Sequence, residues 1–190
     1  MKPTQLLVAG LIGSGALLAS GSALAQQKVD LAKSEIAFVS KQMGVPVDGR
    51  FRKFDAQIAF DPKKPETGKV AFTIDLASAT ISPDADAELP KAPWFNTAKF
   101  PQATFQSTAI KGAGAGRFDV AGKLVIKGSS RDVVVPVTLT QAGGATTAAG
   151  SFAIKRLDFK IGEGDWADTS MVANDVQVKF KLTLSGVGPL

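Results

Sequence analysis

The chain is 190 residues long and carries 22 Lys and Arg against 17 Asp and Glu, a formal charge of +5, with 45% hydrophobic residues. It has no His and no Cys, which excludes a Ser-His-Asp triad, a Cys nucleophile, an imidazole zinc site and any disulfide, so stability has to come from packing. The basic excess is that of a solvated surface, and nucleic acid is not an expected partner.

Residues 1–25 differ in character from residues 26–190. Met1 and Lys2 give a short basic start, Leu6 to Leu18 is apolar and small, and Ala23-Leu24-Ala25 is a small-x-small site, the pattern of a secretory signal peptide cleaved after Ala25. The apolar run is too short and too rich in Gly and Ser to anchor a chain well in a bilayer. A periplasmic protein is therefore expected, with residues 26–190 forming one domain long enough for a core of ordinary size.

From Ser34 onward the dominant signal is alternation with a period of two. Ile36 and Phe38 share one face of a first strand that Met43-Gly44 ends, and Val29 and Leu31 before it read as strand or staple. Between Val45 and Phe60, Val47, Gly49 and Phe51 hold one parity while Phe54, Ala56, Ile58 and Phe60 hold the other, which implies a bulge near Arg52-Lys53. After a turn, Val70, Phe72, Ile74 and Leu76 alternate with Ala71, Thr73 and Asp75. The pattern breaks from Ser78 to Pro101: Ser82 reads as an N-cap, Pro83 as a first-turn proline and Asp84 to Leu89 as a short helix. Pro90, Pro93, Trp94 and Phe95 then form an apolar connection placed to cover one barrel end.

Alternation resumes with Ala103, Phe105, Ser107 and Ala109 and, after the GAGAG turn, with Phe118, Val120, Gly122, Leu124 and Ile126, leaving Lys123, Val125 and Lys127 outward. Gly128, Ser129 and Ser130 supply a turn into Val133, Val135, Val137 and Leu139. Pro136, on the outer face, cannot donate to a ladder and belongs at an edge or beside a bulge. The GGATTAAG segment reads as a loop, Phe152, Ile154 and Arg156 share the next inward parity, and after the GEGDWADTS loop Val176, Val178, Phe180, Leu182 and Leu184 end the pattern. The fold class expected is all-β, an eight-stranded antiparallel barrel with a short helical insertion between strands 3 and 4. A two-sheet sandwich uses the same alternation. Twelve Phe, several of them inward on different strands, favour an interior with flat apolar walls.

Few charges invite chemistry. Asp84-x-Asp86-x-Glu88 has the spacing of a calcium loop, but Leu89 stands where such a loop needs Gly and Phe95 where it needs a bidentate Glu, so a capped helix is the better reading. Glu163, Asp165 and Asp168 read as a solvated loop at the barrel mouth. No catalytic residue and no metal site are expected. Arg156 has inward parity and needs a partner: Asp158, a ligand head, or water at the strand end. Trp94 and Trp166 are placed to cap the tube or to staple loops.

Taken in order, Ser34-x-Ile36-x-Phe38, Met43-Gly44, Gly49-x-Phe51-x-x-Phe54, Trp94-Phe95, Phe100-Pro101-x-Ala103-x-Phe105, Gly122-x-Leu124-x-Ile126-x-Gly128, Ile154-x-Arg156-x-Asp158-Phe159 and GEGDWAD resemble the YceI-like polyisoprenoid-binding proteins over essentially all of residues 26–190. The resemblance implies a lipocalin-like periplasmic barrel that sequesters one long isoprenoid lipid, a ubiquinone-like or polyprenyl chain, with no catalytic cofactor. On this reading the ligand touches Ile36, Phe38, Phe51, Phe72, Ile74, Trp94, Phe105, Leu124, Ile126, Val135, Phe152, Ile154, Arg156 and Phe180. Expected partners are the isoprenoid lipid and, in passing, the inner-membrane surface or a b-type cytochrome; a homodimer is compatible. The rival is a filled barrel acting as an accessory to a b-type cytochrome complex. Two residues depart from the family pattern: Gln42 stands where many members have His, and Lys160 follows Phe159 where relatives often have Gly, which suggests a locally different bulge.

Overall fold

Strands with one apolar face need something to enclose, and in the computed structural model, which describes residues 26–190, they enclose one another. The strands are β1 (Gln26–Gln42), β2 (Val45–Phe51), β3 (Phe54–Ala59), β4 (Lys69–Asp75), β5 (Ala79–Thr80), β6 (Gln102–Gly114), β7 (Arg117–Ile126), β8 (Ser129–Ala142), β9 (Ala145–Lys155) and β10 (Asp175–Ser185). Antiparallel neighbours run β10-β9-β8-β7-β6-β4-β3-β1, and β1 pairs with β10 to close the ring. β2 and β3 both lie against β1 as two halves of one stave, and β5 is a two-residue addition to β2. The result is the expected eight-staved barrel. The segment read as a signal peptide lies outside the described residues.

The parity switch at Arg52-Lys53 is a break that turns a corner. Arg52 N–H donates to Ser78 O (3.1 Å) and Lys53 N–H to Ser78 Oγ (3.0 Å), so the chain leaves β1 there and re-enters it as β3. A second irregularity falls in β1, whose register against β10 slips between Asp30 and Glu35. Ser34 Oγ donates to Asp30 O (2.7 Å) and accepts from Thr183 N–H (3.0 Å) across the slip. Val29 is thus a strand residue, and Leu31, on the slipped segment, is exposed.

Four hairpins turn on residue pairs with consecutive positive φ: Met43–Gly44, Ala115–Gly116, Lys127–Gly128 and Gly143–Gly144, the mirror-image turns that suit the strand twist. The β7–β8 turn therefore sits one residue earlier than expected, and Lys127, placed outward by alternation, is buried. GGATTAAG is not a loop beyond its two glycines. Ala145 to Gly150 are the first half of β9, paired with β8 throughout and with β10 from Thr146; their small side chains carry no alternating signal, and the two ladders decide. Pro136 lies where β8–β9 pairing stops, one residue before Val137↔Gly150, the edge position expected for it.

The helix is present as α1 (Pro83–Glu88), between β5 and β6, with Ser82 Oγ accepting from Ala85 N–H (3.4 Å). Buried apolar side chains form two clusters. One gathers Phe60, Ile110, Phe118, Leu139, Leu182 and Leu184; the other gathers Leu76, Leu89, Phe95, Ile126, Phe159 and Ile161; Phe105, Val133 and Phe152 pack against both.

Candidate functional site

Between those clusters runs a cavity of about 430 Å³. Every stave contributes to its wall, and all fourteen residues singled out in the sequence line it: Ile36, Phe38, Phe51, Phe72, Ile74, Trp94, Phe105, Leu124, Ile126, Val135, Phe152, Ile154, Arg156 and Phe180. Ile58, Phe60, Phe118, Val178 and Leu182 line it as well. Their alternation is equally legible in the sequence, and parity alone would have found them. The polar lining residues Ser40, Gln42, Asp84 and Glu88 gather where the β1–β2 hairpin meets α1, which marks that end as the mouth. At the far end Phe60 and Phe118 meet edge-to-face (5.0 Å), and Gln27 accepts from Phe60 N–H (2.7 Å) and donates to Gly186 O (3.3 Å).

Arg156 points in, but none of its expected partners is the observed one. It is 2% exposed and opens a short 3-10 turn, Arg156–Phe159. Nε donates to Ala173 O (3.1 Å), Nη1 to Ile161 O and Gly162 O (2.9 Å each), and Nη2 to Trp166 O (2.6 Å) and Val172 O (2.7 Å). All five guanidinium hydrogens are thereby used. Asp158 instead approaches Arg131 at 3.9 Å on the outside. Arg156 therefore contributes its surface to the wall while its donors hold the loop from 161 to 173. Burial holds its pKa below the usual guanidinium value.

Lys127 does the same work for a second loop, and alternation could not show it. Its Nζ lies 2.8 Å from Ala92 O, 3.2 Å from Pro93 O, 2.6 Å from Lys160 O and 3.0 Å from Glu163 Oε2. A positive φ at the hairpin turn bends the side chain back under the barrel end; a strand-position argument assumes it stays on the pleat. Lys160, where a locally different bulge was expected, has φ 58, the left-handed conformation that Gly takes without strain.

These loops carry Trp94 and Trp166, whose rings lie 5.3 Å apart and both line the cavity. The Trp94 Nε1–H is buried without an acceptor. Around the mouth, Thr80 Oγ1 (2.7 Å) and Ile81 N–H (2.6 Å) donate to Asp86 and hold its carboxyl below the ordinary range. Ser170, through its hydroxyl and its N–H, does so for Asp168. Glu88 pairs with Lys91. Gln42 is bridged to Val172 across the rim, and Met43 N–H donates to Met171 O (2.9 Å).

The model of the YceI-like domain matches residues 27–184. Protein YceI of Escherichia coli O157:H7 is 35% identical over 140 residues, 70% of this chain and 72% of that protein. Among solved structures, Burkholderia cenocepacia BcnA superposes with a TM-score of 0.80 at 47% identity, covering 82% of this chain and 99% of BcnA. A polyisoprenoid-binding domain from Saccharophagus degradans shares the fold with a TM-score of 0.66 at 20% identity, over 86% of this chain and 99% of that one.

Proposed function

The chain belongs to the YceI-like family, and from that membership and the bore we propose that it is an exported, non-enzymatic carrier that holds one long isoprenoid chain inside the barrel. The observation that carries the reading is the cavity itself, walled by branched aliphatic and phenyl side chains from every stave. At roughly 0.8 kcal/mol per buried CH₂, about 20 carbons gain on the order of 16 kcal/mol, against about 4–15 kcal/mol for the lost freedom of association. Tight binding then needs no charged anchor.

The mouth favours a neutral head over a phosphate. Arg156 and Lys127, the buried cations among the described residues, have their hydrogens committed to the protein, and the carboxylate of Asp84 lines the opening, where it repels an anion. A quinone-type oxygen fits better, and it would give the Trp94 N–H an acceptor. Export to the periplasm is supported by the residue pattern of 1–25 alone. Met43, 71% exposed, with Val45, Trp166 and Met171 gives the mouth an apolar rim, which suits passing contact with a membrane surface where such a lipid resides. The rival filled-barrel accessory requires an interior without a continuous void, and this interior is open.

Extraction of the purified, bacterially expressed protein with organic solvent, followed by mass spectrometry, tests the proposal. An isoprenoid quinone near one per chain is expected. Repeated recovery of empty protein from lipid-rich cells would overturn it.

A further inference from the structure

Three glycines occupy inward positions on the barrel wall: Gly49 on β2, Gly122 on β7 and Gly150 on β9. A Cβ added to any of them would land on a phenyl ring, 2.3 Å from Phe38 Cζ, 2.5 Å from Phe105 Cζ and 2.6 Å from Phe180 Cζ respectively. Each ring belongs to an adjacent strand. Phe38 and Phe180 are the register partners of Gly49 and Gly150, and Phe105 lies diagonal to Gly122, whose partner is Ser107. The rings therefore lie down over the missing side chains instead of standing into the interior. All three line the cavity. They fall on the β1/β2, β6/β7 and β9/β10 pairs; β1 and β10 are themselves partners, so Phe38 and Phe180 flatten one side of the ring, and the β6/β7 pair with Phe105 is set apart from it by β8 one way and by β3 and β4 the other. Glycine in a strand interior ordinarily weakens the strand. Three of them beneath three rings need another reason.

We infer that Gly49, Gly122 and Gly150 set the calibre of the bore: the reclined rings leave the width that a methyl-branched chain needs and a straight acyl chain does not, so the protein selects isoprenoid over straight-chain lipid. This rests on the carrier reading. Gly49 is the decisive position, because the three atoms nearest its added Cβ belong to the side chains of Phe38 and Ile81, whereas at Gly122 and Gly150 the nearest include Gln106 O (2.5 Å) and Pro136 O (2.2 Å) of the neighbouring backbone.

The test is competition on delipidated protein between geranylgeraniol and arachidyl alcohol, a branched and a straight alcohol of equal carbon number. Wild type should prefer the branched one. Gly49→Ala should lift the Phe38 ring and weaken geranylgeraniol about tenfold or more, the scale of a one-methylene misfit in an apolar pocket, with a much smaller effect on arachidyl alcohol. Adding Phe38→Leu to Gly49→Ala should restore the branched ligand. If Gly49→Ala does not fold, Phe38→Trp narrows the same point without touching the backbone and should give the same selective loss. Equal weakening of both alcohols, failure of the double variant to recover, or a wild type indifferent to branching overturns the inference while leaving the carrier reading intact. A wild type that binds neither alcohol and yields no lipid on extraction overturns both.

Discussion

Replacing Arg156 by Met would remove five hydrogen bonds at once. The carbonyls involved come from two segments, Ile161, Gly162 and Trp166 on one and Val172 and Ala173 on the other, and none of these five oxygens belongs to a strand ladder. Gly162 lies so close that a Cβ there would sit 2.4 Å from Nη1, so the backbone is folded directly around the guanidinium. A buried carbonyl without a donor costs roughly 1–3 kcal/mol, and if water rescues those nearest exposed Trp166, three orphans at about 1.5 kcal/mol each give on the order of 4–5 kcal/mol. At about 2–4 °C per kcal/mol for a domain of this size, the melting temperature should fall by roughly 8–20 °C. Arg156→Lys keeps the charge but has three hydrogens radiating from one atom; it can reach one segment, not both, and should lose about half as much. Circular-dichroism melts of the three proteins, with tryptophan emission followed in parallel because Trp94 and Trp166 ride on the tethered loops, read this directly. A Met variant within about 1 kcal/mol of wild type, or a Lys variant equal to it, would refute the claim that the fan of donors holds the loops.

Lys127→Met should cost about 2–3 kcal/mol by denaturant titration, whereas Glu163→Gln should cost under about 1 kcal/mol, because Glu163 is half exposed and the three carbonyls remain as acceptors; equal losses would mean the ion pair dominates. Phe105→Asp or Phe180→Asp should abolish lipid retention in the extraction assay while the protein still folds, and unchanged retention would remove that residue from the contact surface. The hydrogen bonds from Thr80 and Ile81 lower the Asp86 pKa below 3.8 in the folded protein, so their contribution is complete above that pH and is lost as pH falls through the lower folded value. Melting temperatures of wild type and Asp86→Asn between about pH 2 and 5 should converge at the acid end, and parallel curves would exclude this linkage.

The barrel was legible because its signal is geometric: inward parity in a closed sheet means inward in space, and Phe72, Phe105, Phe152 and Phe180 needed no further information. What alternation could not supply lies at the ends. Lys127 obeyed the period and still turned in, because a left-handed residue at a hairpin tip leaves the pleat. Arg156 had the right direction and the wrong partners. Its acceptors are main-chain carbonyls up to 17 residues away, and a carbonyl leaves no mark in a sequence. Ala145 to Gly150 failed for the opposite reason, their side chains being too small to write a pattern that two flanking ladders impose.

The two buried cations also bear on why the bore stays open. Wall atoms facing a void lack dispersion partners on that side, and the usual remedy is to fill the space with larger apolar side chains. At the mouth end the difficulty is different: the loops from 90 to 95 and from 160 to 174 bring carbonyls under the barrel that no strand can pair. Apolar plugs would leave those oxygens unsatisfied and would fill the bore as well. Arg156 reaches the carbonyls from the wall and Lys127 reaches them from the β7–β8 turn, and both spend their hydrogens there. Buried charge is normally a weak source of stability, because desolvation offsets what it gains. Its use here is to hold the loops around the mouth with polar atoms directed away from the bore, so that the surface turned toward the interior remains the wall's aliphatic groups and rings, with Arg156 among them.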